Sequence, residues 1–167
     1  MSSAFEPVPA AAGILRSAGA GKQRGRSSAG GEVTIWADAE DTGGRWAILE
    51  DALPAYSPGT PLHRHREMLE GFYVLSGRPT LYLGERRVEA PAGAFLLVPP
   101  GLPHAYLNPR PEPARLLVFF APAGFERYFV EIAELWRRSA GHLPDVGAVA
   151  TIAAKFDMEV VGPRPPA

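Results

Sequence analysis

The close alternation of short apolar runs with glycine and proline is the feature of this sequence that most restricts its fold. The chain has 18 glycines and 18 prolines, and they lie between the apolar runs instead of forming one low-complexity block. Short runs separated by turn-forming residues predict β-strands in a sandwich or barrel, and not a parallel sheet. The candidate strands are EVTIWA, RWAILED, LHRHR, EGFYVLS, TLYL, RRVE, AFLLV, HAYLN and RLLVFF.

The apolar period changes after Pro122. Phe125, Phe129 and Ile132 recur at the spacing of one helical face. This pattern predicts an amphipathic helix over Gly124–Arg138 that packs on the β-strands. A second helix is predicted near the end of the chain, from Asp145 to Phe156.

Length and composition limit the number of domains and the classes of partner. The 167 residues suit one domain, with a flexible N-terminal arm over 1–30, a β core over 31–121 and a helical extension over 122–167. A net charge of −1 leaves no basic excess to bind nucleic acid. The first residues lack the basic region of a secretion signal, and no apolar run approaches the roughly 20 residues of a membrane span. We therefore expect a cytoplasmic protein with no nucleic-acid or membrane partner.

Histidine is scarce in this chain, yet two of its four histidines are one residue apart. Side chains two residues apart on a strand face the same side, so His63 and His65 point to one face and Arg64 points away. Because the chain has no cysteine, His, Asp and Glu are the side chains left to bind a transition metal. We predict that Arg66–Leu69 form a hairpin turn, which would bring Glu70 back beside the two histidines on the adjacent strand.

A third histidine follows a sharp corner. AFLLV is predicted to be a buried strand, PPGLP a corner, and His104 the first residue of the next strand, on the same face as Tyr106 and Asn108. A lone histidine is more often a surface or hydrogen-bonded core residue than a ligand. Two paired histidines with a glutamate and a third histidine instead favour a metal site, in which the hairpin turn selects Glu70 over Glu67.

These two stretches match a known family. Residues 63–77 have the pattern H-x-H-x4-E-x6-G and residues 93–108 have the pattern G-x5-P-x-G-x2-H-x3-N; both resemble the signature motifs of the cupin superfamily. One departure is Ser57, where the family usually has a glycine in a turn. From about Gly31 onward the chain is similar to single-domain cupins described as quercetin dioxygenase-like. The resemblance implies an all-β fold, a single β-barrel of jelly-roll type with C-terminal helices packed on it. It also implies one divalent metal ion, held by His63, His65, Glu70 and His104.

The resemblance implies a mononuclear metal enzyme of the dioxygenase type, acting on a hydroxylated aromatic or polyketide-like small molecule. Such ligands suit Fe, Mn, Ni, Co, Cu or Zn, and the sequence does not choose among them. Glu70 is expected either to be a ligand alone or to act also as a catalytic base that takes a proton from a substrate hydroxyl. Two other functions stay open: a metal-dependent isomerase, cyclase or lyase on the same site, and a non-catalytic protein that binds a small molecule.

Aromatic side chains supply candidates for the substrate pocket. Phe72, Tyr106 and either Trp36 or Trp46 could line an apolar pocket, although aromatic residues in a β-barrel more often belong to the core. His142 is expected to be a structural or exposed loop residue. The N-terminal arm and an edge strand such as EVTIWA could pair with a second copy, so a homodimer is the assembly considered.

Overall fold

A computed structural model describes residues 13–140 and 142–167 of the protein, and most of its regular structure is β-strand. The strands are β1 (Gln23–Arg26), β2 (Glu32–Ala37), β3 (Ala47–Leu53), β4 (Leu62–Arg64), β5 (Leu69–Ser76), β6 (Thr80–Leu83), β7 (Arg86–Glu89), β8 (Phe95–Val98), β9 (His104–Leu107), β10 (Ala114–Ala121) and β11 (Glu159–Gly162). The helices are α1 (Ala39–Thr42), α2 (Glu126–Arg138) and α3 (Val146–Ala153).

The strands form two antiparallel sheets that share one apolar core. The six-stranded sheet has the order β1-β2-β3-β10-β5-β8, and the five-stranded sheet has the order β11-β4-β9-β6-β7. Phe72 and Phe120 from the first sheet and Leu81 and Leu107 from the second are among the largest fully buried side chains. The structure therefore confirms the predicted all-β fold of jelly-roll type.

Side chains alternate between core and solvent along the strands of the larger sheet. In β5, the inward residues Glu70, Phe72 and Val74 are buried. The alternate residues Tyr73 and Leu75 are exposed. This is the period of two that a strand imposes on its side chains. One face of the strand thus belongs to the interior, and the other presents apolar side chains to solvent.

The predicted hairpin between β4 and β5 is not present. β4 pairs with β9 and β11, whereas β5 pairs with β8 and β10, so the two strands belong to different sheets. Arg66–Met68 carry the chain from one sheet to the other, and Glu70 faces the histidines across the interior. The prediction was wrong because a short turn can join two facing sheets as well as two paired strands, and residue spacing does not distinguish them.

The N-terminal part of the described chain is more regular than expected. Within the predicted flexible arm, β1 pairs with β2 from Gln23 opposite Ile35 to Arg26 opposite Glu32. β2, which is EVTIWA, is therefore an inner strand and not the edge predicted to pair with a second copy. Residues 1–12 of the arm lie outside the described residues. The three-part division of the chain and the homodimer both stay predictions.

The two C-terminal helices confirm the predicted change of period. Glu126–Arg138 and Val146–Ala153 lie within the predicted ranges, and Asp145 caps α3 by accepting a hydrogen bond from the Ala148 N–H at 2.7 Å. α2 packs on β1, where a Cβ added to Gly25 would lie 2.9 Å from Phe129 Cβ. Only glycine allows this approach. No helix among the described residues has the length and apolar character needed to span a membrane.

Candidate metal centre

Both sheets contribute side chains to one buried cluster. β4 supplies His63, and His65 follows directly after its last residue. β9 begins at His104, which lies opposite His63 in the register of the five-stranded sheet. Glu70 comes from β5 in the facing sheet. The cluster is therefore assembled across the interior, between two sheets that each present alternate side chains inward.

The four side chains are close together and shielded from solvent. Their candidate ligand atoms all lie within 4.8 Å of one another. Glu70 Oε2 is 2.7 Å from His104 Nε2 and 3.3 Å from His65 Nε2. Each of the four residues has at most 4% of its surface exposed. This places three imidazoles and one carboxylate in a common buried position.

Backbone carbonyls fix the orientation of all three rings. Nδ1 of His63 lies 2.9 Å from the Pro61 carbonyl oxygen, and Nδ1 of His104 lies 3.0 Å from that of Leu102. Nδ1 of His65 lies 2.5 Å from the Asp157 carbonyl oxygen. A carbonyl can only accept, so each Nδ1 carries a proton and donates, which leaves Nε2 of each neutral ring free to bind a metal.

The arrangement suits a divalent metal ion. Ligand atoms bound at about 2.1 Å lie about 3 Å apart at right angles and about 4.2 Å apart when opposite, which agrees with the distances in the cluster. Within the described part of the chain, the buried Nε2 of His65 has no hydrogen-bond partner. At His104 both ring nitrogens face oxygen acceptors, although a neutral imidazole has one N–H. A cation beside Nε2 would satisfy both residues.

The charges of the cluster are also those of a metal site. Burial lowers the pKa of His63, and the neighbouring His104 and His65 lower it further, so this imidazole is neutral and able to bind a metal. Burial by itself raises the pKa of Glu70, but the contacts with His104 and His65 outweigh burial and lower the pKa overall. Glu70 is therefore an anion even though it is buried. Burial opposes a rise in the pKa of His65, but its contacts with Glu70 and Asp157 raise that pKa overall, so a metal ion at this ring would displace a proton. Imidazole and carboxylate ligands match the preferences of first-row transition metals.

A small cavity adjoins the cluster under helix α2. Its volume is ≈ 10 Å³, which is room for about one water molecule. Phe125 makes an edge-to-face contact with the His65 ring, with ring centroids 4.8 Å apart, and stacks on Tyr128, with ring centroids 4.9 Å apart. The lining residues are Ser28, Thr60, His63, Glu70, Tyr106, Phe125, Tyr128, Phe129 and Met158.

A groove lies on the other side of Phe125. Its volume is ≈ 270 Å³, and Phe125 lines both the groove and the inner cavity. The remaining lining residues of the groove are Glu67, Met68, Pro122, Ala123, Gly124, Phe156 and Asp157. The Phe125 ring therefore separates a surface groove, large enough for a small molecule, from the buried cluster.

A second buried carboxyl lies beyond the cavity. The Tyr106 hydroxyl donates a hydrogen bond to Asp51 Oδ2 at 2.8 Å. Asp51 is an inward residue of β3, and no solvent reaches it. Burial raises its pKa to about 7, although the Tyr106 hydrogen bond opposes this shift. The interior thus holds a carboxyl that gains or loses a proton near neutral pH.

The structure brings together the four predicted ligand residues, and Glu67 is exposed outside the cluster. Of the predicted pocket residues, Tyr106 lines the cavity, and Phe72 contacts the rings of Tyr106 and His104 at 5.4 and 6.4 Å. Trp46 is not in the pocket. It is 38% exposed and stacks on Phe119 at 5.9 Å on the outer face of the six-stranded sheet.

Arg64 and His142 have the expected surroundings. Arg64 points away from the cluster and forms an ion pair with Glu159 at 2.9 Å. The Asn108 amide donates to the carbonyl oxygens of Pro54 and Glu112 and holds its loop. His142 is exposed.

The sequence patterns missed several residues at the site. Asp51 had a detectable signal, because it lies two residues after Leu49 and two before Leu53 in an alternating strand. Phe125 was predicted on the inner face of α2, but nothing indicated that this face covers the histidines. Asp157 had no signal, because its contacts are to residues about ninety positions earlier in the chain.

Known proteins share this fold. Residues 53–120 match the family model for the cupin domain. A predicted oxalate decarboxylase from Thermotoga maritima is 21% identical, with a TM-score of 0.58, and the match covers 65% of this chain and 98% of that one. A mutant of Bacillus subtilis oxalate decarboxylase is 23% identical, with a TM-score of 0.52, and the match covers 62% of this chain and 29% of that one. No curated protein matches the chain.

A third similar structure is a nucleoside dehydratase, known from Streptomyces, with 19% identity, a TM-score of 0.51, and coverage of 63% of this chain and 79% of that one. At these identities the likeness concerns the fold and not the reaction. The two antiparallel sheets and the buried His-His-Glu-His group define the class of this protein, a jelly-roll fold with a candidate metal site in its interior. Residues 53–120 of the chain carry a cupin domain.

Proposed function

We propose that the protein is a mononuclear divalent-metal enzyme of the dioxygenase type that acts on a small hydroxylated molecule of aromatic or polyketide-like character. One observation carries this proposal: the metal-binding nitrogens of three oriented imidazoles and a buried carboxylate converge beside a cavity. The four ligands would be His63, His65, Glu70 and His104. In an interior without a metal ion this set would lower stability, because buried imidazoles and a buried anion cost several kcal/mol unless they are paired or bind a metal.

A redox-active metal ion bound by these residues would supply O2 activation and would polarise a substrate oxygen. The chain itself would supply position and proton transfer. Glu70, an anion because His104 and His65 lower its pKa, has the charge state needed to accept a proton from a substrate hydroxyl. The rings of Phe125, Tyr128 and Phe129 offer apolar faces to an aromatic substrate.

Access to the site requires movement of one side chain. The inner cavity has room for about one water molecule, and an aromatic substrate is far larger. The groove outside Phe125 is of a suitable size, so rotation of this ring would join the two spaces. Gly124 precedes it at φ +122°, a conformation that favours glycine, and its N–H donates to Glu126 Oε2 at 2.6 Å.

A second function is a metal-dependent isomerase or lyase on the same ligands. It is favoured by the hydroxyl groups around the cavity, which belong to Ser28, Thr60, Tyr106 and Tyr128. Within the described residues the buried hydroxyls of Ser28 and Tyr128 have no hydrogen-bond partner. Proton transfer to and from a carbonyl substrate uses such groups, whereas O2 chemistry does not require them.

The deciding experiment is elemental analysis of the purified protein followed by assays with and without O2. We expect one divalent metal ion per chain, and O2 uptake that depends on added flavonol, enediol or polyketide substrates. His104→Ala should lose the metal ion, and His142→Ala is the matched control because His142 is exposed and outside the cluster.

Each result separates the two functions or contradicts both. Turnover of a substrate by the zinc-loaded protein under strict exclusion of O2 would favour the isomerase or lyase. A fully metallated protein that transforms no substrate in either atmosphere would contradict both and indicate a binding protein. A His104→Ala variant that keeps its metal ion would refute the ligand assignment.

A further inference from the structure

The segment that enters β11 holds the turn between β4 and β5. The side-chain carboxylate of Asp157 accepts three backbone hydrogen bonds from this turn, from Arg66 N–H at 3.0 Å, Glu67 N–H at 3.0 Å and Met68 N–H at 2.8 Å. Three donors on one carboxylate fix the path of the turn, because charge-assisted hydrogen bonds are stronger than those between neutral groups. The turn connects His65 in one sheet region to Glu70 in the other.

The main chain of the same residue contacts the metal cluster. The carbonyl oxygen of Asp157 accepts the hydrogen bond from His65 Nδ1. His63 and His104 each use the carbonyl of the residue two positions earlier on their own segment. Two of the three imidazoles are therefore oriented locally, and the third is oriented by a residue that is 92 positions away in sequence.

The neighbours of Asp157 fix its own position. Phe156 packs its ring edge against Phe125 at 6.3 Å. Met158 is buried and lines the cavity beside the cluster. Asp157 lies between these two apolar contacts, so both its carboxylate and its carbonyl are held against residues 65–68.

We propose that Asp157 is a positioning residue for the metal centre, on the basis of the proposed function above. Its carbonyl fixes the tautomer and orientation of His65, and its carboxylate fixes the turn that sets the distance from His65 to Glu70. The C-terminal extension thus takes part in metal binding without supplying a ligand. Outer partners of metal-binding histidines affect metal affinity by about 10- to 100-fold.

The test measures Co²⁺ affinity of the full-length protein by competition with a chelator, together with the absorption spectrum of the bound ion. Asp157→Ala removes the three turn contacts, and we expect its Kd for Co²⁺ to rise by about 10- to 100-fold. The absorption spectrum should also change, because the geometry of His65 and Glu70 is no longer fixed. Asp157→Asn keeps one acceptor oxygen and should give an intermediate Kd.

The matched control is Asp145→Ala. Asp145 is an exposed aspartate of the same extension, and its carboxylate also accepts a backbone hydrogen bond, at the start of α3. Its loss should lower the melting temperature and leave the Kd for Co²⁺ within about twofold of the wild-type value. This variant separates weaker folding of the extension from a direct effect on the metal centre.

Several results would overturn the proposal. A folded Asp157→Ala protein with wild-type Kd and spectrum would refute it while leaving the proposed function intact. An equal loss of affinity in Asp145→Ala would reduce the effect to general stability. If Asp157→Ala does not fold, Asp157→Asn decides by the same two measurements. Wild-type protein that binds no Co²⁺ would refute this proposal and the proposed function together.

Discussion

Glu70 and Asp51 are two buried carboxyl groups with nearly equal exposure, and their surroundings give them opposite tendencies to ionise. Glu70 is 3% exposed and Asp51 is 0% exposed. Burial alone raises the pKa of a carboxyl group, because the anion loses its hydration. At Glu70 the contacts with His104 and His65 outweigh burial and lower the pKa. At Asp51 the hydrogen bond from Tyr106 is not sufficient, and the pKa rises to about 7.

The difference shows that the partners of a buried carboxyl group, and not its depth, determine what it can do. Glu70 faces imidazole nitrogens and is prepared to bind a cation. Asp51 faces the hydroxyls of Tyr106 and Ser27, which lower its pKa too little to offset its burial. It therefore holds a proton through much of the acidic range. One interior thus contains an anionic site and a carboxyl group that gains or loses a proton near neutral pH, and both act on Tyr106.

The largest expected effect concerns the pH dependence of stability through Asp51. Because its pKa in the folded protein is about 7 and the ordinary value of an aspartate is 3.8, the unfolded chain releases the proton at lower pH. The stabilising effect of the proton is complete below pH 4 and is lost as pH rises to 7, a change of roughly 4 kcal/mol. Asp51→Asn should remove this slope.

Denaturant unfolding of both proteins from pH 4.5 to 8, after removal of metal by a chelator, measures the difference. The free energy of unfolding of the wild type should fall relative to that of Asp51→Asn across this range. If the free energies of unfolding of the two proteins changed in parallel with pH, the pKa of Asp51 would not be raised, and Asp51 would not differ from Glu70 in the way described above.

The second effect concerns the anionic site. Glu70→Gln removes the negative charge and keeps the size of the side chain, so metal affinity should fall by at least about 100-fold, or about 2.7 kcal/mol. Calorimetric titration with Zn²⁺ measures the change. Glu67→Gln is the control, because Glu67 is exposed and outside the cluster. A loss in Glu67→Gln with wild-type affinity in Glu70→Gln would show that Glu67, and not Glu70, influences the metal ion.

A smaller effect is expected from Tyr106, the residue whose hydroxyl donates to Asp51. Tyr106→Phe removes the hydrogen bond from the Tyr106 hydroxyl to Asp51 Oδ2 and should cost about 1–2 kcal/mol of stability. The cost should be larger above pH 7, where Asp51 is ionised and needs a donor. Tyr82→Phe is the control, since its hydroxyl donates to the Pro166 carbonyl at the surface. A cost that is the same at pH 5 and pH 8 would contradict this role.

The smallest effect is expected outside the interior. Trp46→Ala removes a half-exposed ring that stacks on Phe119 and should lower stability by about 1 kcal/mol. The Kd for a metal ion should stay within about twofold of the wild-type value. A tenfold loss of metal affinity in this variant would indicate that Trp46 acts at the pocket, as the sequence predicted.

Local patterns in the sequence predicted most strands between residues 32 and 121, but neither β1, which lies in the predicted flexible arm, nor β11. A period of two revealed the inward face of most strands, and the resemblance to the cupin motifs gave the full set of His63, His65, Glu70 and His104. The way in which Glu70 reaches the histidines was not predictable from spacing. A turn of the same length can return a chain to its own sheet or carry it to the opposite one, and the choice depends on which strands β4 and β5 meet later.

The remaining parts of the site depend on contacts between distant segments. Asp157 meets the turn at residues 66–68, and α2 brings Phe125 over His65. Neither contact produces a periodic signal, because each is set by how the C-terminal extension packs and not by the spacing of neighbouring residues. Asp51 is different, since its inward position was visible in RWAILED, and only its partner Tyr106 was not.

The alternation along β5 makes the length of the turn before it critical. Outward Tyr73 and Leu75 occupy the same strand as inward Glu70 and Phe72. If one residue were inserted between His65 and Glu70 and the strand shifted by one position, every side chain of β5 would change face. The carboxylate would point to solvent, and leucine and tyrosine would point at the histidines. The interval of four residues in this turn is thus a fixed length, and evolution can change its composition far more easily than its number of residues.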